Sequence, residues 1–221
     1  MTVIAIDGPA GAGKSTVARA VATALGYEYL DTGAIYRAVA LAALENEVDP
    51  DDGDRLRDLV RGLAIVATRT RVTIDERDVT ARIRDADVTE MAPAISARQE
   101  VREALVAQQR DAAAEGNVVV EGRDIGSAAL PDAELKVFLT ASLTERARRR
   151  VRQLGLSEDP DTIERYRLSI EARDTIDSSR AASPLVRPPD AVVIDSTGRT
   201  LEEVVEEIVS LARGLDAAAA L

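Results

Sequence analysis

Residues 8–16 read GPAGAGKST and directly follow the apolar run VIAI (3–6) and Asp7. Gly8, Gly13, Lys14 and Ser15 satisfy G-x-x-x-x-G-K-[ST], with Pro9, Ala10, Gly11 and Ala12 between the glycines and Thr16 behind the serine. Each residue type has a physical reason. Glycines let the backbone curl so that successive N–H groups point at phosphate oxygens. Lys14 supplies a mobile cation for the β- and γ-phosphates, the Ser15 hydroxyl is a Mg²⁺ ligand, and the helix that follows presents its positive end to the anion. A strand before the motif and a helix after it predict a loop that binds a nucleoside triphosphate with Mg²⁺.

Beyond the loop, short apolar strands alternate with helical patterns. That alternation predicts an α/β protein with the P-loop NTPase fold, a parallel β-sheet flanked by helices. Strands are expected at Val3–Ile6, Tyr27–Leu30, Val118–Val120, Leu135–Leu139 and Val192–Ile194. Helices are expected at Lys14–Leu25, Ala34–Leu44, Val101–Ala114, Leu143–Leu154, Pro160–Ile176 and Leu201–Leu211. Thr200 with Glu203 three residues later has the spacing of a capping box for the last of these. Residues 50–95 break the rhythm: a polar DPDDGD turn, a helix-like run, then two strands around a turn at Asp75–Asp78, read as a small β-rich insert on the main sheet. The tail GLDAAAAL has little to anchor it and is expected to fray.

Composition closes off several classes of function. The 221 residues carry 39 acidic and 28 basic side chains, a formal net charge of -11, which repels a nucleic acid. Only 2% are aromatic, so base-stacking platforms are scarce and the core must be aliphatic. With no cysteine and no histidine, disulfides, zinc-thiolate sites, thiol nucleophiles and imidazole bases are absent. No apolar stretch approaches the length of a membrane span and no signal-peptide pattern opens the chain, so it is read as a cytoplasmic protein with no membrane partner. Lys136, in ELKVF, is the one lysine outside the loop, so the Asn/Thr-Lys-x-Asp motif by which a GTPase reads guanine cannot form.

A small-molecule kinase needs a second anion site facing the loop, and arginine is its natural lining. DTGAIYR (31–37) puts Thr32 and Gly33 at a helix start and Arg37 on its first turns, although an ordinary N-cap with a surface arginine has the same pattern. VVVEGRD (118–124) leaves a strand, so Glu121, Arg123 and Asp124 fall at the carboxyl edge of the sheet, where ligands of open parallel sheets bind. An acidic residue ending such a strand is suited to holding Mg²⁺ through water. Arg173, Asp177 and Arg180 are spaced i, i+4 and i+7 on one helix face, which reads equally as a solvated ion-pair stripe. TERARRRVRQ (144–153), with Arg146, Arg148, Arg149, Arg150 and Arg152, is a solvated face or a set of cations that closes over a triphosphate.

Together these blocks resemble the bacterial cytidylate kinases, within the nucleoside-monophosphate kinases. The resemblance runs over nearly the whole chain: GPAGAGKST, LDTGAIYR, RDV with IR at 83–84, VREAL (101–105), EGRDIG (121–126) and RD…D..RA..PL (173–185). It implies a CORE over 1–32, 96–149 and 166–221, an NMP-binding insert over about 33–95 and a short LID over about 150–165. It also implies transfer of the ATP γ-phosphoryl to CMP or dCMP, with Mg²⁺, by a monomer in pyrimidine metabolism. UMP, AMP and shikimate kinases are the alternatives of the same class. By the family pattern Arg37 and Arg123 hold the acceptor phosphate, Tyr36 packs beside the nucleotide with Thr32 nearby, and Arg102 and Asp124 face the cytosine. Arg173 and Asp177 take the ribose side, Arg180 bridges base and phosphates, and Lys14 and Arg149 act on ATP. The family has Asp where this chain has Glu121, and a small hydroxyl residue where it has Pro93, with Ser96 available to stand in.

Overall fold

Five apolar runs line up in one parallel sheet, in which the second along the chain lies at one edge, followed by the third, the first, the fourth and the fifth. They are β1 (Val3–Asp7), β2 (Glu28–Asp31), β6 (Val118–Glu121), β7 (Leu135–Thr140) and β8 (Val192–Asp195). The computed structural model describes residues 1–114, 116–180 and 183–219. Every expected strand is present, within one residue at each end. Strands β1 and β6 are covered on both faces, which is why they read as unbroken hydrophobic runs rather than alternating ones. Helices α1 (Lys14–Leu25) and α8 (Leu201–Ala219) pack together, and Val17, Val21, Val204 and Ile208 join Ile4, Ile6 and Val119 in one core cluster. The Thr200–Glu203 capping box forms, with reciprocal bonds of 2.8 and 3.2 Å. The tail expected to fray instead continues α8 as far as Ala219.

Helix α2 (Thr32–Glu45) is alanine-rich and buried along most of its length, so it lies inside a second core cluster rather than over it. That cluster also takes Leu56 and Val60 from α3 (Gly53–Gly62), and Val88 and Ile95 from α4 (Ala86–Ser96). Val101 and Leu105 of α5 (Gln99–Ala114) join it, as does Val120 of the sheet.

Residues 50–95 therefore differ from the β-rich addition to the main sheet that the sequence suggests. Their strands β3 (Ile65–Ala67), β4 (Val72–Ile74) and β5 (Arg77–Asp78) form a separate antiparallel sheet in the order β3-β4-β5. Its last turn is the expected one, with Asp75 and Glu76 both in the left-handed region at φ 49° and 67°. The remaining helices, α6 (Leu143–Gln153) and α7 (Pro160–Ser179), run on either side of residues 154–159 and pack on each other. No helix among the described residues is long and apolar enough to cross a membrane.

Candidate active site

The register of the sheet brings the distant motifs together. Ile6 lies opposite Glu121, and Glu121 opposite Asp31, so β1, β6 and β2 end side by side and release their loops at one edge. Gly8 leaves β1 at φ 149°, and a Cβ there would lie 2.0 Å from the Leu139 carbonyl oxygen, so only glycine fits this exit. In the loop, Lys14 Nζ donates to the Pro9 carbonyl at 2.9 Å. Ser15 and Thr16 are exposed at the start of α1, and the Ser15 hydroxyl bonds to the Glu121 carboxylate.

The loop is held from outside by two arginines of α6. Arg146 donates to the Ala10 carbonyl at 3.1 Å and pairs with Asp174, whose other oxygen accepts from the Ala10 N–H at 3.4 Å. Arg149 donates to the Ala12 carbonyl at 3.1 Å and to both the hydroxyl and the carbonyl of Ser196, at 2.9 and 2.7 Å. Of the arginine run, Arg146 is thus buried bracing, while Arg148 and Arg152 are exposed.

Beside the end of β6, Asp31 caps α2, accepting from the Ala34 N–H at 2.8 Å, and pairs with Arg37 at 3.4 Å. Thr32 Oγ donates to the Glu121 carbonyl at 2.7 Å, and Tyr29 donates to the Glu121 carboxylate at 2.5 Å. Arg123 donates to the Gly8 carbonyl at 2.8 Å and contacts Asp177 at 3.1 Å. Asp177 also faces Arg180 at 3.9 Å, and both side chains are almost wholly buried, so the Arg173–Asp177–Arg180 face is not a solvated stripe. Arg173 and Arg180 lie within electrostatic reach of Arg123. Beside them, Arg102 forms a buried ion pair with Asp124 and lies 5.6 Å over the ring of Tyr36. Ser96 joins the two halves, its carbonyl accepting from Arg102 at 3.2 Å and its hydroxyl from Arg180 at 3.4 Å, whereas Pro93 sits inside α4.

Several of these donors are unused. Arg37 Nε, Arg173 Nε and Arg180 Nη2 are buried with no hydrogen-bond partner among the described residues. Leaving such groups unpaired costs about 1–3 kcal/mol each, more when charged. Three orphaned guanidinium donors beside a phosphate-type loop suit an anionic ligand. Of the sequence-derived candidates, Arg123 and Arg149 bond to loop carbonyls and Glu121 meets Ser15, while Arg102, Asp124, Tyr36 and Arg180 form an adjoining cluster through Ser96 and Arg102. Spacing does not reveal Tyr29, Asp174, Ser196 or Asp7, whose partners lie far away in the chain, whereas Asp31 caps α2 and pairs with Arg37 within the DTGAIYR block itself. Ala181 and Ala182, within the RD…D..RA..PL stretch (173–185), lie outside the described residues.

Three buried carboxylates have raised pKa values. Burial pushes Asp7 up to about 6 against two backbone N–H bonds, and burial likewise raises Glu121 and Asp124. Folded Asp7 therefore binds a proton between about pH 4 and 6 that the unfolded chain has released, so its own contribution to stability rises as pH falls through that window, whereas surface carboxylates held low by hydrogen bonds and arginines, such as Asp87 and Glu45, contribute in the opposite sense. Lys14, lowered to about 7 chiefly by burial and then by Arg123, acts mainly above it. Asp7 alone contributes about 1 kcal/mol between pH 7 and 5, a Tm increase of about 2–4 °C. Melting curves of the ligand-free wild type and D7N at the two pH values isolate this: the wild type gains about 2–4 °C relative to D7N on going from pH 7 to 5, and an unchanged difference contradicts it.

Residues 4–214 match the family model described as cytidylate kinase. The cytidylate kinase of Exiguobacterium sibiricum is 47% identical over 216 residues, covering 96% of this chain and 96% of that protein. That of Desulfitobacterium hafniense is 46% identical over 211 residues, 94% of this chain and 91% of the other. Among solved structures, an uncharacterized protein from Eubacterium ventriosum superposes with a TM-score of 0.55 at 13% identity, covering 96% of this chain and 98% of its own, a likeness of fold alone. With a nearly full-length family match and relatives approaching half identity, the chain belongs to the cytidylate kinase family.

Proposed function

We propose that the chain transfers the γ-phosphoryl of ATP to CMP and dCMP, giving ADP with CDP or dCDP. The observation that carries this reading is the Arg102–Asp124 pair set directly beside Arg123, which itself reaches the phosphate loop through the Gly8 carbonyl. Cytosine presents an N4 donor next to N3 and O2 acceptors, so a carboxylate and a guanidinium side by side match its edge. The chain needs no general base. A phosphate monoester has a second pKa near 6, so its oxygen is already anionic at pH 7, which explains a kinase without histidine.

An acceptor phosphate oxygen attacks the γ-phosphorus while the bond to the β–γ bridging oxygen breaks and ADP leaves. Catalysis is then positioning and charge neutralisation. Lys14 and the loop N–H groups act on the ATP phosphates. Arg123, together with Arg37, Arg173 and Arg180 and the unspent donors of those three, holds the CMP phosphate and ribose side. Tyr36, Arg102 and Asp124 hold the base, with Thr32 at the helix start. Arg149 holds the ATP loop in shape.

Mg²⁺ fits Ser15 and, through water, Glu121. One hydroxyl bonded to one carboxylate is a sparse donor set, which suits a cation that keeps its waters and binds mainly to substrate phosphates. When bound it neutralises phosphate charge. The chain works as a cytoplasmic monomer. Residues 33–95 serve as the NMP-binding insert and 150–165 as the LID, and closure of both over the CORE excludes water.

A coupled assay of ADP release with CMP, dCMP, UMP, AMP and shikimate tests this. CMP and dCMP are expected to dominate. No release with any acceptor, or preference for another one, refutes it.

A further inference from the structure

We propose that Asp7 is a positioning residue for phosphoryl transfer, a tie that sets the acceptor turn at Arg123–Asp124 at a fixed separation from the phosphate loop. The inference rests on the reading of the chain as a CMP kinase.

Asp7 ends β1, directly before Gly8, and is 1% exposed. Its two carboxylate oxygens reach across to the neighbouring connection. Oδ1 accepts from the Ile125 N–H at 2.8 Å and Oδ2 from the Gly126 N–H at 2.7 Å. These are the first residues of a π-helical turn, Ile125–Ala129, whose own preceding residue, Asp124, makes no side-chain cap. The cap comes instead from another strand. Gly122 N–H to the Ile6 carbonyl, at 3.1 Å, and Arg123 to the Gly8 carbonyl complete the junction. Four bonds from Ile6, Asp7 and Gly8 thus grip 122–126, and the residues between the anchors are Arg123 and Asp124. A shift of that turn relative to the loop is a shift of CMP relative to ATP.

The choice of carboxylate is informative. Asp7 forms no ion pair among the described residues; burial and the nearby Asp124 charge oppose its ionisation, while the two N–H bonds and the Lys14 charge favour it. An asparagine would be easier to bury. It has one carbonyl oxygen, however, and would turn its NH₂ donors towards one of the two N–H groups. Only an ionised carboxylate accepts from both, and with a pKa of about 6 Asp7 is ionised at pH 7.

D7N in the full chain tests the idea through separate kcat, KM and equilibrium binding of each nucleotide. Each nucleotide keeps its own contacts, so the KM values and the Kd values for CMP alone and MgATP alone stay within about threefold of wild type. The loss falls on kcat, about 10²-fold, as expected when reacting atoms are misplaced by about 1 Å. An unchanged kcat, or equal losses in kcat and in both Kd values, overturns the proposal. D7E keeps the charge but carries it one methylene further, and it must show the same split; this serves if D7N does not fold. In the wild-type protein the Ile125 and Gly126 amides must exchange with solvent as slowly as those of β1 and β6, and rapid exchange there refutes the tie without any variant. Failure of the wild-type enzyme to phosphorylate CMP would instead count against the functional reading alone.

Discussion

Replacing Arg123 with alanine lowers kcat/KM for CMP by about 10³- to 10⁵-fold, the range over which single arginines act in phosphoryl transfer. The size follows from its place. The side chain is one-fifth exposed, donates to the Gly8 carbonyl and lies in ion-pair contact with Asp177, so on the proposed reading it stands between the two polyanions that must approach. In a space poor in water its charge is screened little, and removing it leaves mutual repulsion uncancelled. Binding of MgATP without CMP is expected to change only a few-fold, because Lys14 and the loop amides remain. Arg123→Lys separates charge from shape: lysine keeps the cation but cannot reach Gly8 and Asp177 at once, so partial recovery is expected. A rate near wild type for Arg123→Ala, in a protein with an unchanged melting curve, would remove this residue from the acceptor site.

What made the fold legible was its β1 and β6 runs and the glycine-rich turns that bound them. A strand covered on both faces must be continuously apolar, and VIAI and VVV cannot be much else. The insert was legible only in part. Ile65–Ala67 is a half-covered strand of three residues, too short for a period, and α4 carries Pro93 in its interior, a residue that argues against a helix when read locally. The site divides the same way. Motifs confined to a few consecutive residues, such as the loop, DTGAIYR and EGRD, could be read with their chemistry. Arg173, Asp177 and Arg180 could be read as one face but not as a buried one. The braces could not be read at all: Asp174 and Ser196 meet the loop across more than 160 residues of chain, and only the folded sheet brings them there.

Asp124→Asn should alter which base the enzyme accepts. Asp124 is buried against Arg102, and the pair faces the region held by Tyr36, Ser96 and Arg180. As a carboxylate it can only accept, which suits the cytosine N4 amine and repels the uracil O4 lone pairs. Asparagine has the same shape and can turn its amide to donate. The variant therefore loses a charge-assisted bond to CMP and relieves a repulsion with UMP, and each change has the scale of a hydrogen bond to a charged group, about 1.5–3 kcal/mol. Together they move the CMP-to-UMP ratio of kcat/KM by about 10³-fold. Arg102 keeps an oxygen to donate to, so the fold is expected to survive, and MgATP affinity is the internal control. A variant that loses CMP and UMP turnover in equal proportion, with MgATP binding weakened alongside, would make Asp124 a structural partner of Arg102 and not a reader of the base. Retained discrimination at full activity would place base selection elsewhere, and Ser96, between the two arginines, would be the next residue to change.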